Sequence, residues 1–455
     1  MKARYLNSWS GFLGFLAFYA ACLFLLLPKL SLWLDEILDL REVRDDNFST
    51  LIAHIPRYGG GVPLGYLAQA ATVHLLGCSR FSGRLPSALF SLVACASIFI
   101  LGRRLKLRYP LLSVLIFCSM PLQLRYALES RPYSQALAFT IGGTVAFTYL
   151  SETPTTGKAV LYGAITLASL YTQPYTAFVF LAHILWLCCF EVRRNQRRVF
   201  LSAGVPVTLA ALGFLPWHLW AVHLWSRSAA AQQRYEIGWK TILIILRELV
   251  GGGYLGTAIV VAFIFAGFAV GLSNSRERGF WTLYLILPLV LPVLADAGFG
   301  YFFAIRQTIF VLAPLALLTA LGLERIAQLH PKAAFSAYLL LFAVFLAANI
   351  RFFSKPREDW QAASCLLRKL ASHGDCLLFM PAGSVDLYRF FKPHLSSGNC
   401  LNTAPSFRAI AVAMSPYESK EESANLIKKL AEAGWIRSKE LRCQEPKVDL
   451  YERSQ

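Results

Sequence analysis

The sequence predicts a mostly α protein: a polytopic transmembrane helix bundle of about eleven spans, closed by a small C-terminal α/β domain. Three observations carry that expectation. The 455 residues are 56% hydrophobic with a mean hydropathy of +0.50, and only 15% are charged; a soluble chain carries roughly a quarter. Apolar runs long enough for a ~30 Å hydrocarbon core recur along most of the chain. From residue 351 onward the composition turns abruptly polar.

The first apolar run, residues 11–30, follows Lys2 and Arg4 and ends in Pro28-Lys29-Leu30 without a small-x-small cleavage site. It reads as a retained anchor. The outer loop from 31 to 84 comes next, with two short amphipathic pieces, 35–44 and 65–77, separated by Gly59-Gly60-Gly61. The second holds Gln69 and His74 and is placed along the interface, as an interfacial helix. Further spans are expected near 85–101, 110–124, 132–150, 159–171, 175–190, 199–220, 254–271, 280–294, 308–323 and 333–350; the one at 159–171 is short.

The net charge of +18 does not indicate nucleic acid, because the cations cluster in short loops between spans. With the N-terminus inside, the even-numbered spans end at Arg103 to Arg108, Lys158, Arg193 to Arg198, Arg276-Glu277-Arg278 and Arg325 to Lys332. All of these are then cytoplasmic, as the positive-inside rule requires. The expected location is a bacterial inner membrane, multi-pass, with the tail periplasmic. Arg57, Arg80, Arg84, Arg125, Arg131, Arg227, Arg234 and Arg306 fall near outer boundaries. Headgroup contact accounts for any one of them; together they suit an anionic lipid substrate.

The tail reads as a helix at 361–371, a buried strand at 376–380 ended by Pro381, a strand at 409–414, a helix at 420–433 and a closing strand at 447–451. The expected division is 1–350 for the membrane domain and 351–455 for the outer domain. Of ten cysteines, Cys22, Cys95, Cys118, Cys188 and Cys189 fall in spans as packing residues. Cys365, Cys376, Cys400 and Cys443 make an even set in an oxidising compartment, with the pairing left open. No metal-ligand spacing occurs and no cofactor is expected. The outer loop between Trp225 and Gly253, with its amphipathic stretch 240–250 and Gly251-Gly252-Gly253 as hinge, is read as a gate for lipid entry.

Trp33-Leu34-Asp35-Glu36 emerges just beyond the first span, at the depth of a lipid-borne phosphate. Acids at a membrane boundary are costly and point to function. Several separated features join it: Gly61-Val62-Pro63-Leu64-Gly65-Tyr66 leading to Arg84-Leu85-Pro86-Ser87; Leu128-Glu129-Ser130-Arg131-Pro132-Tyr133-Ser134; Leu215-Pro216-Trp217; Arg306 before Leu312-Ala313-Pro314; and Arg357-Glu358-Asp359-Trp360. In this order the set resembles the bacterial polyprenyl-phosphate-sugar-dependent integral-membrane glycosyltransferases. That is the GT-C superfamily, similar to protein O-mannosyltransferases and aminoarabinose transferases (glycosyltransferase family 39-like). The resemblance implies an inverting transferase with a polyprenyl-phosphate-linked sugar donor, a hydroxyl-bearing acceptor and a membrane-lipid environment. It names neither sugar nor acceptor. Relatives carry His-Pro or Lys-Pro where this chain reads Gly61-Val62-Pro63, so a substrate-touching side chain is missing there.

The chemistry suits the residues. A lipid phosphate is already a competent leaving group, so the reaction needs a base for the incoming hydroxyl and cations for the developing phosphate charge. Asp35 is the expected base, with Glu36 orienting it or the acceptor; the competing reading is that both charge the start of a helix. Arg131, Tyr133 and Arg306 are the expected phosphate ligands. His54, Arg57, Gly61 and Glu129 are candidates for the substrate cavity, although Glu129 equally suits an i,i+4 pair with Arg125. A transporter or flippase of lipid-linked saccharides is the alternative class, and a non-catalytic receptor or scaffold a third. Transporters favour mid-bilayer polar sites and internal repeats, whereas these acids lie at one face.

Overall fold

The computed structural model describes residues 8–57, 62–190, 197–225, 240–251, 253–272, 274–299, 304–354, 358–398, 400, 407–416, 420–442 and 445–453. The chain forms two compact units: Met1–Pro28 with Asp46–Phe352, and Lys29–Asp45 with Phe353–Gln455. The short segment that carries the acidic pair therefore groups with the C-terminal residues, not with the helices that flank it in sequence.

The first unit is helical. Among the described residues six helices are long and apolar enough to cross a membrane: Trp9–Leu26, Arg80–Arg104, Arg197–Leu224, Ser275–Gly298, Ile305–Leu329 and Pro331–Ser354. Two broken pairs, Pro110–Ser119 with Pro121–Ala127 and Thr241–Val250 with Gly253–Ala269, raise the number to eight if each pair is one span. Every expected span falls on helix, but three do not meet the apolar-span criterion. Tyr133–Glu152 is interrupted by Ser, Gln, Thr and Gly, while Thr156–Leu170 and Ala177–Phe190 have 15 and 14 residues.

The expected span at 110–124 is in fact bent by 75° at Met120-Pro121. Met120 takes an extended conformation (ψ 124°) because the proline ring disfavours helix in the residue before it, and Pro121 then starts a new helix.

Helix Ile305–Leu329 lies at the centre of this unit; 89% of its apolar window is buried, against 17% for Trp9–Leu26 and 22% for Pro331–Ser354. Its close neighbour is Gly253–Ala266. A methyl group at Gly322 would lie 1.9 Å from the Phe263 carbonyl oxygen, so the two backbones touch through a glycine, as small residues permit in membranes. The outer faces of the peripheral helices remain apolar and exposed, including Phe18, Leu209, Phe265 and Phe335; an aqueous surface would not tolerate so many together.

Several polar residues inside this unit satisfy one another. Tyr19 Oη donates to Gln123 Oε1 (3.2 Å), and Gln123 Nε2 donates to Ser91 Oγ (2.8 Å). His183, fully buried, lies between Tyr162 Oη (3.0 Å) and Thr144 Oγ1 (3.2 Å) and stacks on Phe147. Glu324 accepts from the Arg108 and Tyr109 backbone N–H groups (2.8 and 2.7 Å), capping helix Pro110–Ser119. At the expected gate, residues 226–239 and Gly252 lie outside the described residues. Gly251 has φ +74°, and an added Cβ would lie 2.7 Å from Pro121 Cβ. An alanine there would report on packing before it reported on gating.

The second unit is built on a four-stranded sheet: β1 (Cys376–Met380), β2 (Ile410–Met414), β3 (Trp435–Arg442) and β4 (Lys447–Arg453), in the order β1-β2-β4-β3. β1 and β2 run parallel, with Cys376 opposite Ile410; β4 is antiparallel to both β2 and β3. The helices Trp360–Ser372 and Lys420–Glu432 fall within two residues of their expected bounds. Strand β3 carries no apolar alternation and was not anticipated. A disulfide joins Cys376 to Cys400; Cys365 is a free, exposed thiol, and Cys443 lies outside the described residues.

Candidate functional site

The acidic pair opens helix Leu34–Asp45 in the second unit. Trp33 is the N-cap, its carbonyl accepting from Ile37 N–H (3.1 Å). A tryptophan side chain has no acceptor for the orphan N–H groups of the first turn. Two glutamates supply them. Glu36, at the third helical position, reaches back to Trp33 N–H in a long contact of 3.4 Å, half of a capping box. Glu358 Oε2 accepts from Leu34 N–H at 2.9 Å and from the Trp360 indole at 2.5 Å.

Glu36 is fully buried, together with Ile37, Leu40 and Val43, whereas Asp35 is partly exposed. The two acids are thus separated by environment: Glu36 faces the packed side and caps, and Asp35 keeps access to solvent. At the other end of the helix Arg44 chelates Asp45 (2.6 and 3.0 Å) and lies over the Phe390 ring. That guanidinium holds the Asp45 carboxyl below the usual carboxylate range.

The remaining candidates lie in the first unit. The Leu128-Glu129-Ser130-Arg131-Pro132-Tyr133 motif is a tight bend between helix Pro121–Ala127 and helix Tyr133–Glu152, for which Pro132 is the N-cap. Ser130, fully buried, donates to the Gly83 carbonyl (2.9 Å). Gln69 Nε2 donates to the Ser130 carbonyl (2.7 Å) and hydroxyl (3.1 Å), and Ser87 Oγ donates to the Arg131 carbonyl (2.9 Å). Helix Pro63–Leu76 comes so near that a Cβ on Gly65 would lie 2.8 Å from Pro132 Cβ. Polar residues of two other helices therefore clamp the backbone that presents Arg131 and Tyr133.

Tyr133 is buried, packs on Tyr126 with ring centroids 4.5 Å apart, and accepts at its hydroxyl from Arg306 Nε (2.9 Å). Arg306 stands on the 3-10 turn Ile305–Val311 that leads into the central helix. An arginine tied through Nε presents its guanidinium in one orientation, which is what recognition of a phosphate requires. Glu129 is buried and accepts from Arg125 Nε (2.6 Å), so the i,i+4 pair is formed. Arg125 also lies over the Tyr126 and Phe352 rings.

His54 Nδ1 pairs with Asp46 Oδ2 (2.8 Å). The backbone of Arg57 ends a 3-10 turn, Ile55–Arg57, and Gly61 lies outside the described residues. Arg84, fully buried, donates to the Leu27 carbonyl (3.0 Å) and anchors the end of the first helix. The structure brings Tyr133 and Arg306 together in one unit and places Asp35 and Glu36 in the first turn of a helix of the other.

Sequence reasoning missed the parts played by Gln69, Ser87, Ser130 and Glu358. A signal for the first was present. Gly65, Gln69 and Thr72 recur at helical spacing in an otherwise apolar stretch, so they share one face. That face meets the motif and the start of helix Arg80–Arg104, where Thr72 Oγ1 donates to the Ser82 carbonyl (2.7 Å).

No protein-family model and no curated protein sequence matches this chain. Solved structures do. ArnT from Cupriavidus metallidurans in the apo state superposes with a TM-score of 0.61 at 11% identity, covering 97% of this chain and 98% of that one. The same protein bound to undecaprenyl phosphate gives 0.59 at 13% identity and 98% coverage of both chains. The archaeal oligosaccharyltransferase AglB from Archaeoglobus fulgidus, in complex with an inhibitory peptide and a dolichol-phosphate, gives 0.53 at 13% identity, covering 93% of this chain and 64% of that one. The chain therefore has the fold of these membrane proteins, along nearly its whole length for ArnT.

Proposed function

We propose that this chain is an inverting glycosyltransferase that moves a sugar from a polyprenyl-phosphate donor to a hydroxyl of an envelope acceptor, at the outer face of a bacterial inner membrane. The acceptor oxygen attacks the anomeric carbon as the bond from that carbon to the phosphate oxygen breaks. The electron pair leaves on the lipid phosphate, and Asp35 takes the hydroxyl proton. Arg131, Tyr133 and Arg306 receive the phosphate and stabilise the charge that grows on it. Glu36 supports Asp35 by fixing the turn from which it projects.

The observation that carries this reading is the Tyr133–Arg306 hydrogen bond, in which a neutral hydroxyl accepts from a fixed cation at the start of the central helix. Three further observations support it. The full-length likeness includes a protein bound to undecaprenyl phosphate. Asp35 is partly exposed, unlike the buried Glu36 beside it, as a base that must meet an incoming hydroxyl should be. The Cys376–Cys400 disulfide supports an oxidising, periplasmic setting for the second unit.

Mass spectrometry of envelope lipids, polysaccharides and proteins from cells with and without the protein tests the proposal. A species lighter by one sugar residue in its absence is expected. Identical envelopes, under conditions in which the protein is made, would contradict it.

A further inference from the structure

We propose that Glu358 is a positioning residue for the base, holding the turn that carries Asp35 by accepting the Leu34 N–H. The inference rests on the reading of Asp35 as the base. Its observations all lie within the second unit: one carboxylate oxygen of Glu358 receives both the Leu34 N–H (2.9 Å), from 324 residues away in sequence, and the neighbouring Trp360 indole (2.5 Å). Glu358 is buried, so these are bonds it keeps in place of water.

The adjacent Asp359 does a different job. Its Oδ1 accepts from Ala362 N–H and caps the helix Trp360–Ser372. The two neighbouring acids therefore cap two helices, one local and one from the far end of the chain. A carboxylate suits the remote cap because it meets the positive end of the helix dipole and makes a charge-assisted bond. Leu34 directly precedes Asp35, so fixing its N–H fixes the backbone from which the Asp35 side chain departs. Glu36 cannot substitute, since it is turned back to Trp33.

The test uses the full chain in lipid nanodiscs and the donor on which transfer has been demonstrated. Glu358→Leu is expected to lower kcat about 10- to 100-fold, as misplacement of a reacting group does, while donor KM and undecaprenyl phosphate affinity stay within about twofold. Glu358→Gln retains an acceptor oxygen and is expected to stay within about fivefold of wild type. Leu34→Pro removes the same N–H at a position where a helix accepts proline. It is expected to reproduce the kcat loss, and the double variant with Glu358→Leu to add less than about twofold.

Wild-type kcat in both Glu358→Leu and Leu34→Pro, beside an inactive Asp35→Asn, would overturn the positioning role and leave the base reading standing. A parallel collapse of kcat, donor affinity and melting temperature in both variants would reduce Glu358 to a fold contact and overturn the inference. An active Asp35→Asn would remove the base reading and this inference with it.

Discussion

Arg306 Nε donates to the Tyr133 hydroxyl at 2.9 Å, joining the turn before the central helix to a bend 173 residues earlier. Tyr133 is packed on Tyr126 and cannot follow a moving arginine, so the pair behaves as one fixed element. Under the proposed function that element meets the donor phosphate.

Arg306→Ala is accordingly expected to weaken undecaprenyl phosphate binding about 100-fold, as loss of a desolvated cation partner does. Arg306→Lys keeps the charge but loses the fork and should cost about tenfold. Tyr133→Phe, which leaves the cation without its tether, should cost about five- to tenfold. The two losses should be non-additive in the double variant. Native mass spectrometry of the purified protein titrated with undecaprenyl phosphate measures all four, and unchanged affinity in Arg306→Ala would contradict the assignment.

Gln69→Leu removes the Nε2 amide that makes both hydrogen bonds to Ser130 in a buried setting. Loss of the two hydrogen bonds should cost about 1–3 kcal/mol, although the Ser130 hydroxyl still donates to the Gly83 carbonyl. A lower melting temperature in detergent, accompanied by weaker undecaprenyl phosphate binding, is the expected pair of results.

Gly65→Ala forces a methyl group to 2.8 Å from Pro132 Cβ. A ring carbon on a fixed bend cannot swing aside, so overpacking should cost about 1–3 kcal/mol. Gly14→Ala, where nothing lies within 4 Å, is the matched control and should be neutral or slightly stabilising. Equal melting temperatures for the two variants would contradict the close approach.

In the second unit, Cys376→Ser opens a cross-link between residues 24 apart in sequence and should cost about 3 kcal/mol. Gly398→Ala should weaken the same bond, because its Cβ would fall 2.3 Å from Cys376 Sγ. Alkylation under non-reducing conditions should label Cys365 in the wild type and leave Cys376 and Cys400 unlabelled.

The sequence read best where burial imposes a pattern. The apolar run ended by Pro381 gave β1 its bounds, and long apolar segments located the membrane-capable helices but not their ends: the span expected at 280–294 is the helix Ser275–Phe299. It failed where the signal is weak or non-local. Strand β3 is an edge strand whose Arg437, Ser438, Lys439 and Glu440 are all exposed, so it has no alternation to detect. The break at Met120-Pro121 lay inside a run whose hydropathy alone suggested one helix. Tyr133 and Arg306 were named from separate motifs, but nothing in either motif indicates that they meet. Glu36 is indistinguishable from Asp35 in the sequence; burial separates them, and burial depends on residues hundreds of positions away. The disulfide followed the same rule: four cysteines left the pairing open, and packing joins Cys376 to Cys400 while Cys365 stays a free thiol.

The most direct measurement of the central claim is sugar transfer by Asp35→Asn in proteoliposomes, beside wild type, with undecaprenyl phosphate binding measured on both. Loss of at least about 1,000-fold in transfer with donor-lipid affinity kept within about twofold is the predicted result. Transfer at the wild-type rate in that variant would contradict the account.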